Sequence, residues 1–396
     1  MQSVQAAMSN MTPQSPAPVA GGSPILAMAR RAAELRASGR DIVDLTLGEP
    51  DFAPPVHVAD AAIEAARRPL SYTPSNGVPA LRAAVRRAIA RDRRLEYADN
   101  EVAVGCGAKQ VIFNAFMATL LPGDEVIIPA PYWASYPDMV RLCGATPVVV
   151  TCPAEAGFRL SAKTLAAAIT PKTRWLVLNA PGNPSGALYA PGELAALAAV
   201  VRQHPGLLVM SDEIYAHIRY TEAAYLSIAN VAPDLRARIL LVDGVSKAYA
   251  MTGWRVGWGL GDASLIARIG AIQGQNCTQT ATLSQIAAVA ALEGPQDSLA
   301  ERFAIYRARR NAGLTMLRQC QALDVPVPDG AFYFFPRLKD GGDDVALADT
   351  LLDAGVATVP GSAFGAPGHL RISFATDLDT VVEGCHRIVK TLDGHT

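Results

Sequence analysis

Charged residues make up only 18% of the 396-residue chain, and the two signs nearly cancel to a formal net charge of −1. No basic surplus is available to meet a phosphate backbone or an anionic bilayer, so neither nucleic acid nor a membrane is an expected partner. The six cysteines (Cys106, Cys143, Cys152, Cys277, Cys320 and Cys385) form no CxxC pair, and the six histidines are equally dispersed. That spacing argues against a metal site and a disulfide framework, and predicts reduced, mostly buried thiols in a cytoplasmic protein. No apolar run reaches the roughly 20 residues that span a bilayer. Residues 1–23 lack a basic start and a sustained apolar stretch, so they read as a flexible arm, not a signal peptide. A GxGxxG turn after a first strand is also missing, which removes the nicotinamide-dependent class.

What is present is a chain half hydrophobic by count, enough for a large core and two domains. Ile25, Met28, Ala29, Ala32 and Leu35 recur at helical spacing over 24–39. A loop follows at 46–55, with Gly48 and three prolines, where backbone can approach a ligand closely. A second turn-rich loop at 71–77 carries Tyr72 and leads into a basic helix at 79–94. Strand-like runs at 101–104, 125–128, 146–150, 175–178, 207–210 and 239–242 then alternate with helical runs at 110–121, 136–142, 160–168 and 191–203. This alternation predicts an α/β fold: a large domain at 56–290 with a mostly parallel, doubly wound sheet. Residues 24–55 and 291–396 are expected to form a smaller α+β domain.

In such sheets, ligands lie beyond the carboxyl ends of the strands. Gly107 and Ala108 precede a helix starting at about Lys109, whose free amides suit a phosphate. Trp133 places a flat aromatic near the same rim. Asn183-Pro184-Ser185-Gly186 displays one amide from a rigid loop, and Asp212, with Tyr215 one turn on, follows four apolar residues. The next strand leads to Ser246 and Lys247, in a run where Arg255 is the only other charge. A lysine in apolar surroundings either snorkels to water or loses its proton more readily and becomes a nucleophile. Arg371 lies in a strand-like run near the end.

Together these motifs resemble the fold-type-I pyridoxal-phosphate enzymes, more narrowly the class I aminotransferases of the aspartate aminotransferase type, from about Pro24 to the C-terminus. The resemblance implies pyridoxal 5′-phosphate as cofactor and a ping-pong transfer of an amino group from an L-amino acid to a 2-oxo acid. It makes Lys247 the Schiff-base lysine and proton shuttle, Asp212 the partner of the pyridine nitrogen, and Asn183 and Tyr215 the partners of the phenolic oxygen. Trp133 would stack on the ring. The phosphate would be held by Gly107, Ala108, Lys109, Ser246 and Arg255, with Tyr72 reaching across from the second subunit of a homodimer. Arg371 would grip the substrate α-carboxylate as a planar fork, and Gly48 would offer backbone to it. A serine that many relatives place three residues before the lysine is here Gly244, which shifts the phosphate's anchoring to Ser246, Arg255 and the helix start. Lys109 also matches a lysine that reads a distal carboxylate, which favours aspartate or glutamate as donor and 2-oxoglutarate as acceptor. Tyr132, Tyr136, Phe332 and Tyr333 equally suit an aromatic or broad-specificity enzyme, and a β-lyase on the same scaffold stays open.

Overall fold

The computed structural model describes residues 24–221 and 224–394; the expected arm at 1–23 lies outside them. Its centre is a seven-stranded sheet made of β1 (Val102–Cys106), β2 (Glu125–Ala130), β3 (Thr146–Thr151), β4 (Thr173–Asn179), β5 (Leu208–Asp212), β6 (Ile239–Gly244) and β7 (Val256–Leu260). The spatial order is β1-β7-β6-β5-β4-β2-β3. Neighbours from β6 to β3 pair in parallel, whereas β7 runs antiparallel to both β6 and β1. The strands are near-continuous Val/Ile/Leu runs because helices cover both faces, as β6, buried at all six positions, illustrates.

Helices follow the strands as the periodicity predicts, at Ala108–Thr119, Ser135–Leu142, Ala162–Ala168 and Pro191–Arg202. Several starts are chemically marked. Pro191 takes the first helical position, where no backbone donor is needed, and Ser161 accepts from the Thr164 amide as a cap. The basic helix runs Pro79–Arg93 and closes with Arg94 in a left-handed conformation. The sequence expectation lacks the helix Val56–Ala66 and the antiparallel strand β7, among other elements.

A second apolar cluster joins residues near both ends of the described chain. Leu45, Tyr306, Phe332, Phe334, Ile372 and Ile388 are all buried in it. Its three-stranded sheet pairs Tyr333–Phe334 and Val359–Pro360 on either side of Leu370–Ser373, all antiparallel. Val43–Asp44 pairs in parallel with Val356–Ala357, which fastens the loop at 46–55 to this cluster. Among the described residues, no helix is long and apolar enough to cross a membrane, and no group of His, Cys, Asp or Glu is placed to hold a metal.

Candidate active site

The ends of β4, β5 and β6 lie together at one edge of the central sheet. Asn179 ends β4 and lies directly opposite Asp212, which ends β5; β6 leads through Gly244 to Ser246 and Lys247. Beyond this edge lies a cavity of about 510 Å³, lined by Gly48, Ala108, Lys109, Trp133, Asn183, Asp212, Tyr215, Ser246, Lys247, Arg255 and Arg371. Of the residues singled out in the sequence for the cofactor or the substrate, Gly107 and Tyr72 are not part of this wall, and of the expected aromatic rim Tyr132 and Phe332 are not. Gly107 precedes the helix Ala108–Thr119 at its N-cap, and Tyr72 is 89% exposed on the outer surface of this chain.

The wall carries four cations (Lys109, Lys247, Arg255, Arg371) against two carboxylates (Glu49, Asp212). An occupant with more than one negative charge is therefore favoured. Lys247 is half-buried, and its Nζ donates to the Gly48 carbonyl at 2.7 Å. Burial is the main cause that lowers its pKa to about 8; Arg371 and Arg255 act in the same direction, while Glu49 and Asp212 oppose them. The backbone of Gly48, expected to meet a substrate carboxylate, thus presents its carbonyl to the lysine.

Asp212 is 4% exposed. Its Oδ2 accepts from Tyr136 Oη at 2.5 Å and its Oδ1 from the Ile214 amide at 3.3 Å. Burial nonetheless dominates and pushes the carboxyl up to about 6. Such a group gains from a cation placed against it. Beside it in sequence, buried Glu213 is held by Arg93 at 3.3 Å, and the same guanidinium reaches Asp243 at 3.2 Å.

Arg371 lies two residues before Ser373, the cross-strand partner of Tyr333, so its guanidinium stacks over the Tyr333 ring at 4.6 Å, a diagonal cross-strand contact. Nη1 donates to Asn183 Oδ1 at 3.1 Å and Nη2 to the Thr46 carbonyl, while Nε, fully buried, has no partner. No carboxylate among the described residues pairs with this 1%-exposed cation. A buried arginine without an anion is costly unless a ligand supplies one. Asn183 is held by its own amide, which donates to Asn179 Oδ1 at 2.9 Å, and Tyr215 Oη shares a 2.8 Å hydrogen bond with Tyr333 Oη.

At the opposite end, the helix Ala108–Thr119 begins after Gly107, at φ 80°. Arg255 crosses this start, donating to the Thr252 carbonyl at 2.9 Å and the Cys106 carbonyl at 3.4 Å. A Cβ on Gly107 would lie 2.5 Å from Arg255 Nη2, so glycine is what lets the guanidinium in. Gly257 of β7 does the same for the helix: its Cβ would meet the Ala108 nitrogen and come within 2.6 Å of the Gly107 carbonyl carbon. At Gly244 a Cβ would lie 2.8 Å from the Val256 carbonyl oxygen and 3.0 Å from Gly257 Cα. The close β6–β7 approach thus excludes a serine there unless the backbone moves. Lys109 Nζ lies over the Trp133 ring at 4.8 Å, its pKa lowered by burial and then by Arg255.

The aromatic rim is present in part. Tyr136 and Tyr333 line the cavity, although both are buried, as is Phe332. Tyr136 is committed to Asp212, Phe332 packs on Tyr306 away from the wall, and Tyr132 packs beside Gly365. Ile25, Leu26 and Leu47 add apolar surface at the mouth, with Leu26 66% and Leu47 42% exposed. The sequence reading missed these residues, together with Glu49, Asn179 and the Tyr136–Asp212 bond. Asn179 was legible as a polar residue closing an apolar strand; the other contacts join distant segments and leave no local signal.

A profile of the class I and II aminotransferases matches residues 40–388. The aspartate/prephenate aminotransferase of Cereibacter sphaeroides is 44% identical over 381 residues, spanning 92% of this chain and 95% of that one. The crystal structure of the aspartate aminotransferase from Rhizobium meliloti superposes with a TM-score of 0.92 at 43% identity, covering 96% of this chain and 99% of that one. The aspartate aminotransferase of Thermus thermophilus, solved with maleate, gives a TM-score of 0.89 at 40% identity, with coverage of 94% and 97%.

Proposed function

The chain belongs to the class I and II aminotransferases, and from that membership we propose that it is a pyridoxal 5′-phosphate-dependent transaminase using aspartate or glutamate as one donor and a 2-oxo acid as acceptor. The carrying observation is that Lys247, Asp212 and the anion-free Arg371 line one cavity of about 510 Å³. The residues present fit the cofactor. Ala108, Lys109, Ser246 and Arg255 would hold its phosphate at a cradle that a Cβ on Gly107 or Gly257 would fill. Asp212, a buried carboxylate short of a cation, would meet the ring nitrogen, Trp133 the ring face, and Asn183 and Tyr215 the phenolic oxygen. When bound, the group supplies an aldehyde and a ring that accepts the electron pair released at the substrate Cα.

The chain's own residues do the rest. Arg371 binds the α-carboxylate, filling the charge vacancy at its guanidinium. Lys247 Nζ, with its pKa lowered to about 8, has a usable free-amine fraction near neutral pH and moves the proton at Cα. Gly48 orients that amine through its carbonyl, and Tyr136 fixes the Asp212 carboxylate. Lys109, cationic and without an ion-pair partner among the described residues, favours a distal carboxylate; maleate, present in the Thermus thermophilus neighbour, is a dicarboxylate. The exposed Leu26 and Leu47 favour a second reading, in which the same pocket also takes an apolar side chain.

A cytoplasmic homodimer in which Tyr72 completes the partner's phosphate site is supported by the exposure of Tyr72 on this chain. A division into a large domain at 56–290 and a small one at 24–55 and 291–396 is supported by the separate apolar cluster around Leu45, Phe334 and Ile388. A spectroscopic screen of the common amino acids against cofactor-loaded protein tests the function. Conversion of the cofactor to its amine form by aspartate or glutamate is expected; conversion by neither overturns the donor assignment, and pyruvate release from cysteine conjugates would make it a lyase.

A further inference from the structure

Two cysteines that the sequence leaves 171 residues apart come together beside the phosphate-side helix. Cys106 Sγ and Cys277 Sγ are 3.8 Å apart. The buried cysteines are Cys152, Cys320 and Cys385; Cys277 is exposed and Cys106 half-buried, so the expectation of mostly buried thiols fails at this pair. A disulfide has an S–S length of about 2.05 Å, so the sulfurs need to close by about 1.8 Å.

The surroundings tie the pair to the site. Cys106 ends β1, its carbonyl accepts from Arg255, and the next residue is Gly107 at the helix start. Gln110, in the first turn of that helix, accepts from the Cys106 amide through Oε1 at 2.6 Å and donates from Nε2 to Cys277 Sγ at 2.8 Å. Cys277 terminates the helix Ala263–Asn276 and is followed by Thr278 at φ 65°, a strained left-handed conformation for a β-branched residue. Gln279 accepts from the Thr73 amide and Thr282 donates to the Ser71 carbonyl at 2.8 Å. The segment after Cys277 is therefore the support of the loop that presents Tyr72.

We propose that Cys106 and Cys277 form an oxidative modification site, in which a hydroperoxide converts the two thiols to a disulfide that loosens the phosphate end of the active site. The exposed Cys277 attacks the peroxide O–O bond first, giving a sulfenic acid and releasing an alcohol or water. Cys106 then displaces the hydroxyl group as water and closes the S–S bond. Two electrons pass from the two sulfurs to the peroxide, and both thiol protons leave in the products. Burial, then the neighbouring thiol, hold the Cys106 proton more tightly than in an ordinary cysteine, which leaves the first attack to Cys277. Closing the bond draws the end of β1 toward Cys277 and away from Arg255, and it leaves Gln110 Nε2 with a poorer acceptor. The coupling to cofactor retention rests on the proposed function; formation of the bond does not.

The test treats cofactor-loaded protein with a small excess of hydrogen peroxide, blocks free thiols, and maps peptides without reduction. A crosslinked Cys106–Cys277 peptide two hydrogens lighter than the sum of its parts is expected, reversed by dithiothreitol and lost in both Cys277→Ser and Cys106→Ala. The crosslinked protein should release pyridoxal 5′-phosphate several-fold faster than the reduced protein. Intact thiols, or over-oxidation of Cys277 without a crosslink, would overturn the site. Equal acceleration of release in peroxide-treated Cys277→Ser would overturn the coupling. If the crosslink forms in a protein that binds no cofactor, the modification site stands and the proposed function fails.

Discussion

Replacing Asp212 by asparagine should stabilise the cofactor-free protein while disabling it. The folded carboxyl has its pKa raised from 3.8 to about 6, chiefly by burial. Each unit is worth about 1.36 kcal/mol, so keeping the ionised form in this environment costs about 3 kcal/mol at neutral pH. Because the folded state binds the proton more tightly than the unfolded chain, wild-type stability falls as pH rises through the window from 3.8 to about 6. Asparagine has no such window. Its amide oxygen can accept from Tyr136, although its NH₂ would then face the Ile214 amide and offset part of the gain. The stability gap between variant and wild type should therefore open by roughly 2 kcal/mol between about pH 4.5 and about pH 7.5, in favour of the variant. Urea unfolding of both cofactor-free proteins at several pH values reads this directly. A gap that stays constant, or widens toward acid, would show that Asp212 is not held ionised against burial, and its assignment to a ring cation would lose its physical basis.

Three further substitutions examine other walls of the site. Arg371→Lys keeps the charge but loses the fork, and should lower kcat/KM for every amino-acid donor by about 100-fold, roughly 3 kcal/mol; an effect confined to one donor would mean that the α-carboxylate is bound elsewhere. Lys109→Ser should reduce turnover of aspartate far more than that of alanine or phenylalanine, and equal losses would remove Lys109 from side-chain recognition. Gly257→Ala forces a Cβ into the Gly107–Ala108 backbone; it should cost about 1–3 kcal/mol in denaturant unfolding and weaken cofactor binding, whereas tight binding would show that the helix start does not hold the phosphate.

Much of the fold is legible because strand and helix periods differ and strand ends are chemically marked. The apolar residues of β5 stop at Ser211-Asp212, and those of β6 at Asp243-Gly244, so polar groups announce the edge where the cavity opens. The antiparallel strand β7 escaped notice because Gly257 and Gly259 interrupt its apolar pattern; those glycines are required by the helix and by β6, which only the assembled sheet reveals. The Tyr136–Asp212 bond joins residues 76 apart, and the Cys106–Cys277 contact joins residues 171 apart. Neither pair carries a spacing rule. Of the aromatics expected at the pocket rim, Tyr136 and Tyr333 line the cavity while Phe332 packs on Tyr306 in the core, and a run of aromatics looks the same in sequence whether it faces a ligand or a core. Ile25 and Leu26 begin an amphipathic helix whose buried stripe was read correctly at Met28 and Ala32; that its first turn also faces the cavity depends on how the helix docks.

The central claim is that Lys247 is the amine that takes the cofactor. Borohydride reduction of protein incubated with pyridoxal 5′-phosphate, followed by peptide mass mapping, tests it most directly. A single stable adduct of one reduced cofactor on Lys247 is expected, and none in Lys247→Ala. An adduct spread over surface lysines, or none at Lys247 in the wild-type protein, would contradict it.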